Sequence, residues 1–422
     1  WNGSWPPTRD ARAESVAAGS ASRLMLEKVP LFALVGASAV VTMLAQRTAG
    51  SVQTLALFPW TVRAANAVVS AAEYLRLTFW PKGMSCFYPL RANLDADYWG
   101  SLLGPTLVSA VVLVAISVLV VRLRDARPYL LVGWLWYLGT MVPVAGLVQV
   151  GSQAMADRYT YLPSIGLYLM IAFGAADAVG RARIPRFVWS AVAVTALTIL
   201  AILSWRQTAF WKDTVTLMEH ALAVTERNYL AHNNLGLALS DLGQTEAAAA
   251  QFRLAIAAKP NQAEAHCNLG LVEVDRGNLD AAAIEFEQAV RYDDQLGDAW
   301  NNLGRVHDLS GRTAEAIACY RRALATAEPP VVAARNLAWL LSTASDAGLR
   351  DGAEAVRWAE TFARAVGERF DALLTAAAAH AQAGDFAVAV QLQQRALEVA
   401  PTAQRASVQQ HLEQYRRAEA YR

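Results

Sequence analysis

Five stretches in the first half of the chain, 29–47, 102–121, 129–149, 161–179 and 187–205, are nearly unbroken runs of apolar residues. About 20 residues of helix cover the ~30 Å hydrocarbon core of a bilayer, so the pattern predicts five membrane spans. One such run could be a buried helix of a water-exposed domain; five in succession, joined by short basic loops, set that alternative aside. Between the first two runs, 61–79 keeps helical period but is too charged to span. Arg63, Asn66, Ser70, Glu73 and Arg76 form a polar stripe opposite Val62, Val69, Ala72, Leu75 and Phe79. The expectation is a helix lying in the membrane interface, either covering the spans or lining a substrate path. Phe79, Trp80 and Pro81 end it, and Tyr88, Tyr98 and Trp99 suit the headgroup level.

Beyond residue 205 the pattern becomes periodic. Leu235, Leu269, Leu303 and Leu337 stand 34 residues apart, accompanied in the same register by Asn234, Asn268, Asn302 and Asn336 and by Gly236, Gly270, Gly304 and Ala338. Ala248, Ala282 and Ala316, then Ala255, Ala289 and Ala323, keep the same spacing, and Phe252, Phe286 and Tyr320 supply one ring per unit. Small residues where two helices touch, with a bulky ring between them, at a period of 34, are the signature of tetratricopeptide (TPR) helix pairs. The predicted fold is all-α: a polytopic transmembrane helix bundle followed by an α-solenoid of TPR helix pairs. The expected organisation is a flank over 1–28, a membrane domain over 29–205, a junction helix in repeat phase over 206–228, and a solenoid over 229–404. Its repeats fall near 229–262, 263–296, 297–330, an irregular 331–369 and 370–403, and 405–422 forms a capping helix. Because Ala221 lies 34 residues before Ala255, the helix holding Phe210 to Val224 is expected to continue the last span without a flexible linker.

The arginines orient the spans. Arg122, Arg124 and Arg127 fill one short loop and Arg181, Arg183 and Arg186 another, which places both on the cytoplasmic side, as do Arg9, Arg12, Arg23 and Lys28 of the flank. The loop 150–160, the segment 48–101 and everything after Trp205 then lie outside. Alanine-rich composition and short loops fit a bacterial inner membrane with the repeats in the periplasm; in a eukaryote they would be lumenal in the endoplasmic reticulum. The chain opens at Trp1 in a polar stretch directly before a span, which reads as an N-terminally truncated protein.

A net charge of +1 implies neither nucleic acid nor any strongly charged partner. The three cysteines, Cys86, Cys267 and Cys319, make no disulfide framework, and the latter two occupy small core positions. The six histidines show no metal-ligand spacing, and neither a Walker loop nor a serine elbow is present, so no metal and no catalytic residue is assigned. The candidate chemistry lies in the outer loop, where Gln153, Asp157, Arg158, Tyr159 and Tyr161 crowd against the start of a span. A guanidinium fork, a phenol and an orienting carboxylate equip a site to hold phosphate; the same residues could equally cap the span as a structural ion pair. In the solenoid, Asn234, Asn268, Asn302 and Asn336 form a row that either hydrogen-bonds an extended peptide in the groove or braces neighbouring repeats.

The run from Gln153 to Gly166, Gln-Ala-Met-Ala-Asp-Arg-Tyr-Thr-Tyr-Leu-Pro-Ser-Ile-Gly, with Thr78–Phe79–Trp80–Pro81 and Phe87–Tyr88–Pro89 before it, resembles the transmembrane and tetratricopeptide repeat family. The likeness extends over essentially the whole chain. Animal members are endoplasmic-reticulum O-mannosyltransferases with lumenal repeats. The resemblance implies the C-terminal part of a GT-C glycosyltransferase that takes a polyprenyl-phosphate sugar, possibly mannose-bearing, as donor and protein hydroxyls as acceptor. In such enzymes the acidic catalytic motif sits in a first outer loop that this chain lacks. Two readings follow: a glycosyltransferase part whose repeats choose the acceptor, or a non-catalytic membrane-anchored scaffold whose repeats bind an extended polypeptide or protein partner. Membrane lipid surrounds the protein in both.

Overall fold

The computed structural model describes residues 41, 59–90, 98–147, 153–181 and 185–421. It is built almost wholly of helices and divides into two units, one containing 59–82 and 90–189, the other 83–89 and 190–421 among the described residues.

The first unit holds α1 (Trp60–Phe79), α2 (Tyr98–Arg122), α3 (Pro128–Met141) and α4 (Tyr161–Arg181), and the start of α5 (Arg186–Thr208). Among the described residues, three helical stretches are long and apolar enough to cross a membrane: Leu102–Arg122, Asp157–Arg181 and Phe187–Trp211. Their side chains point largely away from the rest of the protein; Val111 is 68% and Leu197 66% exposed. The expected span 29–47 lies outside the described residues apart from Val41. Over the expected span 129–149, α3 has 14 residues and ends at Met141. That gives about 21 Å of helix, short of a hydrocarbon core. The chain then turns through Val142–Gly146 and buries Met141 and Ala145.

α3 and α4 meet backbone to backbone. A Cβ placed on Gly133 would lie 2.5 Å from the Gly166 carbonyl oxygen and equally close to Met170, so only glycine lets the helices approach this far. At the arginine-rich end, Asp177 of α4 holds Arg127, at the start of α3, at 3.2 Å and Arg181 at 2.9 Å. One carboxylate thus ties the two basic loops to the same end of the unit.

In the second unit α5 gives way to a 3-10 turn at Ala209–Trp211, and α6 (Thr214–Val224) starts under an Asp213 cap whose carboxylate accepts from Thr216 N–H. The expected helix from Phe210 is therefore broken at its beginning, because Asp213 in an extended conformation starts a new helix. The helix pairs follow: α7 (Tyr229–Asp241) with α8 (Thr245–Ala258), α9 (Ala263–Asp275) with α10 (Leu279–Tyr292), and α11 (Gly297–Leu309) with α12 (Thr313–Leu324). Then come α13 (Val331–Thr343) with α14 (Gly352–Val366), α15 (Phe370–Gln382) with α16 (Phe386–Val399), and a last helix, α17 (Arg405–Arg416).

The period has a steric cause. Added Cβ atoms on Gly236, Gly270 and Gly304 would strike the rings of Phe252, Phe286 and Tyr320 at 2.5, 2.8 and 2.8 Å. Each ring fills the space its own pair's glycine leaves, and each is at most 1% exposed. The fourth pair exchanges these volumes: Ala338 stands at the glycine position and Ala359 at the ring position, both buried in one cluster. Turns within the pairs are equally regular. Gly243, Gly277, Gly311 and Gly384 take positive φ of 72–85°, and the next N–H reaches back to the first helix, as from Asn278 to Glu273 at 2.8 Å. This is a Schellman end, which requires the left-handed conformation that glycine tolerates.

The segment Gly83–Pro89 packs on the front of the solenoid. His220 contacts the Met84 carbonyl at 3.0 Å, Asn228 donates to the Phe87 carbonyl at 3.1 Å, and the Phe87 ring meets Tyr229 edge-on at 6.4 Å. Cys86 joins Met218, Ala221 and Leu235. The first repeat, which lacks a preceding pair, is covered by this segment and α6.

Candidate functional site

The loop before α4 is held by α1. Asn66 donates to the Ala154 carbonyl at 2.9 Å and Ser70 to the same oxygen at 3.3 Å. Tyr74 hydroxyl donates to the Ala156 carbonyl at 3.0 Å and accepts from Ala156 N–H at 2.7 Å. These side chains are nearly fully buried, as is Arg63. Burial pushes the Tyr74 phenol well above its ordinary value, which keeps it neutral and able to play both hydrogen-bonding parts.

Period alone leaves open which way the polar stripe of α1 points. Its stripe of Arg63, Asn66 and Ser70 faces inward, joined by Tyr74, because extended loop backbone without partners would otherwise be orphaned. Asn66, Ser70 and Tyr74 stand four residues apart, a spacing legible in the sequence. Glu73 and Arg76 instead pair with each other at the surface. Tyr137 of α3 steadies the arrangement, its hydroxyl donating to the Ala71 carbonyl at 2.5 Å.

On this support Asp157–Thr160 forms one 3-10 turn leading into α4. Gln153 Nε2 donates to Tyr159 hydroxyl at 3.2 Å, and the Arg158 guanidinium lies 5.2 Å from the Tyr159 ring centroid. Arg158 is exposed and Tyr161 is 77% exposed. The structure thus joins Gln153, Tyr159 and Arg158, while Tyr161 lies exposed at the start of α4. A guanidinium stacked on a phenol keeps its fork of donors presented to an anion.

The asparagine row makes a different set of bonds. Asn268 Nδ2 donates to Asn233 Oδ1 at 2.9 Å, and Asn336 Nδ2 to Asn301 Oδ1 at 3.1 Å. Asn302 Nδ2 lies 3.9 Å from Cys267 Sγ. Each of the three reaches back 35 residues to the preceding pair, so these amides brace neighbouring repeats, and each keeps a second N–H. Asn234, first in the row, is exposed. Cys267 and Cys319 are buried, which pushes their thiols up to about 12 and about 11.

Helix pairs starting at 229, 263, 297 and 331, each with its own ring-and-glycine or paired-alanine contact, make this unit a TPR solenoid. Comparison with known proteins agrees. A family model described as tetratricopeptide repeat matches residues 267–330, and a second, described as TPR repeat, matches 236–274. The chain is similar to the protein O-mannosyl-transferases Tmtc3 and Tmtc2 of Drosophila melanogaster, 28% identical to each over 123 residues. The match takes in 29% of this chain and 13% of the length of each relative. Among solved structures it is similar to YrrB, a TPR protein with an unusual peptide-binding site (TM-score 0.39, 21% identity, 46% of this chain and 97% of that one). It is similar also to Pseudomonas aeruginosa pilF (TM-score 0.42, 18% identity, 51% and 96%).

Proposed function

We propose that the chain is part of a membrane glycosyltransferase: the solenoid binds an extended polypeptide acceptor outside the cytoplasm, and Arg158 contacts the phosphate of a polyprenyl-phosphate sugar. The observation that carries this reading is the loop 153–161. Three buried side chains of α1 and a 3-10 turn fix its backbone, yet Arg158 remains exposed on the Tyr159 ring. Rigid support beneath an exposed guanidinium suits a binding group better than a surface ion pair, whose contribution is about 0–1 kcal/mol. A charge-assisted fork to phosphate contributes about 1.5–3 kcal/mol. The Drosophila relatives lend the sugar-transfer half of the proposal its direction.

Binding of a polyprenyl-phosphate sugar to the protein in detergent tests the reading. Arg158→Lys keeps the charge but loses the planar fork, so it binds donor about tenfold or more weakly. Wild-type donor binding by both Arg158→Lys and Arg158→Ala would overturn it.

A second reading, a membrane-anchored scaffold, is favoured by the fact that both family-model matches fall within the solenoid. Polypeptide capture without donor binding is its mark.

A further inference from the structure

The position that carries Phe252, Phe286 and Tyr320 in the first three pairs, seven residues into the second helix, carries Gln393 in the fifth. Gln393 is 1% exposed, and Ala377 opposite leaves no exposed surface either. Gln393 Nε2 donates to the Val408 carbonyl of α17 at 2.9 Å, while Oε1 is buried with no partner among the described residues. A buried acceptor without a donor is costly, and reversing the amide would set its oxygen against the Val408 carbonyl.

Gln393 lines a cavity of about 290 Å³. Trp339 of α13 and Leu374 of α15, on the first helices of the fourth and fifth pairs, form one side of it; Val408, His411 and Tyr415 of α17 form another. Tyr421 closes it, edge-on to Trp339 at 5.2 Å. Among the described residues its lining includes neither lysine, arginine, aspartate nor glutamate, and burial holds the His411 imidazole below its ordinary value, so these walls are neutral. Aromatic walls, a neutral lining and one buried acceptor call for a flat apolar body with a hydrogen-bond donor at its tip.

We propose that this cavity anchors one tyrosine or tryptophan side chain of a polypeptide lying along the solenoid, its phenol O–H or indole N–H donating to Gln393 Oε1. The occupant is a peptide side chain because two of the walls belong to first helices of successive pairs. The proposal rests on the reading of the solenoid as a polypeptide binder, and its test separates the two.

N-acetyl-tyrosinamide, N-acetyl-tryptophanamide and N-acetyl-phenylalaninamide are titrated into the full chain in detergent by ligand-observed NMR. The tyrosine and tryptophan amides bind about tenfold tighter than the phenylalanine amide, which lacks the donor. Gln393→Met, similar in length without the acceptor, removes that preference; Ser407→Trp at the exposed mouth removes binding of all three with helicity unchanged. Equal binding of the three amides, or a preference that survives Gln393→Met, overturns the proposal. So does preferential binding of methyl α-mannoside, which would make the cavity a sugar site. If none of the amides binds while longer unfolded peptides are still captured, the pocket assignment falls and the groove reading stands. If the amides bind as expected but longer peptides are not captured, the pocket stands and the proposed function falls.

Discussion

Phe286 and Gly270 offer a double-mutant cycle whose outcome the structure dictates. Phe286 is fully buried, and its ring lies where a Cβ on Gly270 would meet it at 2.8 Å. Phe286→Ala alone removes a full side chain from a packed interior and costs about 3–5 kcal/mol. Gly270→Ala alone forces a methyl into the ring and costs about 1–3 kcal/mol, even though alanine is the better helix former by about 1 kcal/mol. Together the changes remove each other's fault: the methyl enters space the ring has left, and the helix gains its propensity. The double variant should lose about 2–4 kcal/mol, less than Phe286→Ala alone, which amounts to a coupling of about 2–4 kcal/mol. The fourth pair already holds this solution in Ala338 and Ala359. Amide hydrogen exchange across α9 and α10 in the full chain reads the local free energies without assuming that the whole solenoid unfolds at once. Additive losses in the double variant would refute the ring-on-glycine account of the 34-residue period.

Gly133→Leu should separate α3 from α4, since even its Cβ would stand 2.5 Å from the Gly166 carbonyl oxygen; we expect a loss of about 1–3 kcal/mol, seen as a lower Tm in detergent, and an unchanged Tm would show that the helices do not touch there. His266 should make the second repeat less stable at high pH. Its Nδ1 lies 2.7 Å from Glu285 and its Nε2 3.0 Å from the Pro260 carbonyl, two acceptors that favour the doubly protonated ring. Burial pulls this imidazole down, but these bonds outweigh it and leave the value above the ordinary 6.5. The charged pair therefore stabilises fully below pH 6.5, and its contribution is lost as pH rises through the raised value. Exchange protection of α9 in wild type should fall between pH 6 and 8.5 relative to His266→Gln; parallel pH profiles would contradict the assignment.

Much of the solenoid was legible because each constraint there is local and repeated: a glycine under a ring, an alanine against an alanine, 34 residues apart. The turn glycines Gly243, Gly277 and Gly311 share that spacing and add to the same pattern. The first unit was less legible. In a membrane-type environment a polar stripe can point inward as readily as outward, and period alone does not give the direction. Asn66 and Ser70 were readable as part of a stripe, and Tyr74 shares their spacing, but only the position of the loop 153–156 shows what they bind. Apolar runs likewise report composition and not helix length: 129–149 is apolar nearly throughout, yet α3 stops at Met141. Of the candidate sites, the loop residues stood out by type, whereas the cavity at Gln393 depends on α17 folding over the fifth pair, a contact without periodic signature.

The central claim, an extracytoplasmic solenoid that captures polypeptide, is tested most directly by photocrosslinking. A photoreactive amino acid replaces the exposed Asn234 in the full chain, and spheroplasts receive a membrane-impermeant, biotin-tagged unfolded polypeptide rich in serine and threonine. The account predicts a crosslinked product in intact spheroplasts, reduced by excess untagged polypeptide. A product that forms only after the membrane is opened would contradict the orientation, and the absence of any product in either preparation would contradict capture itself.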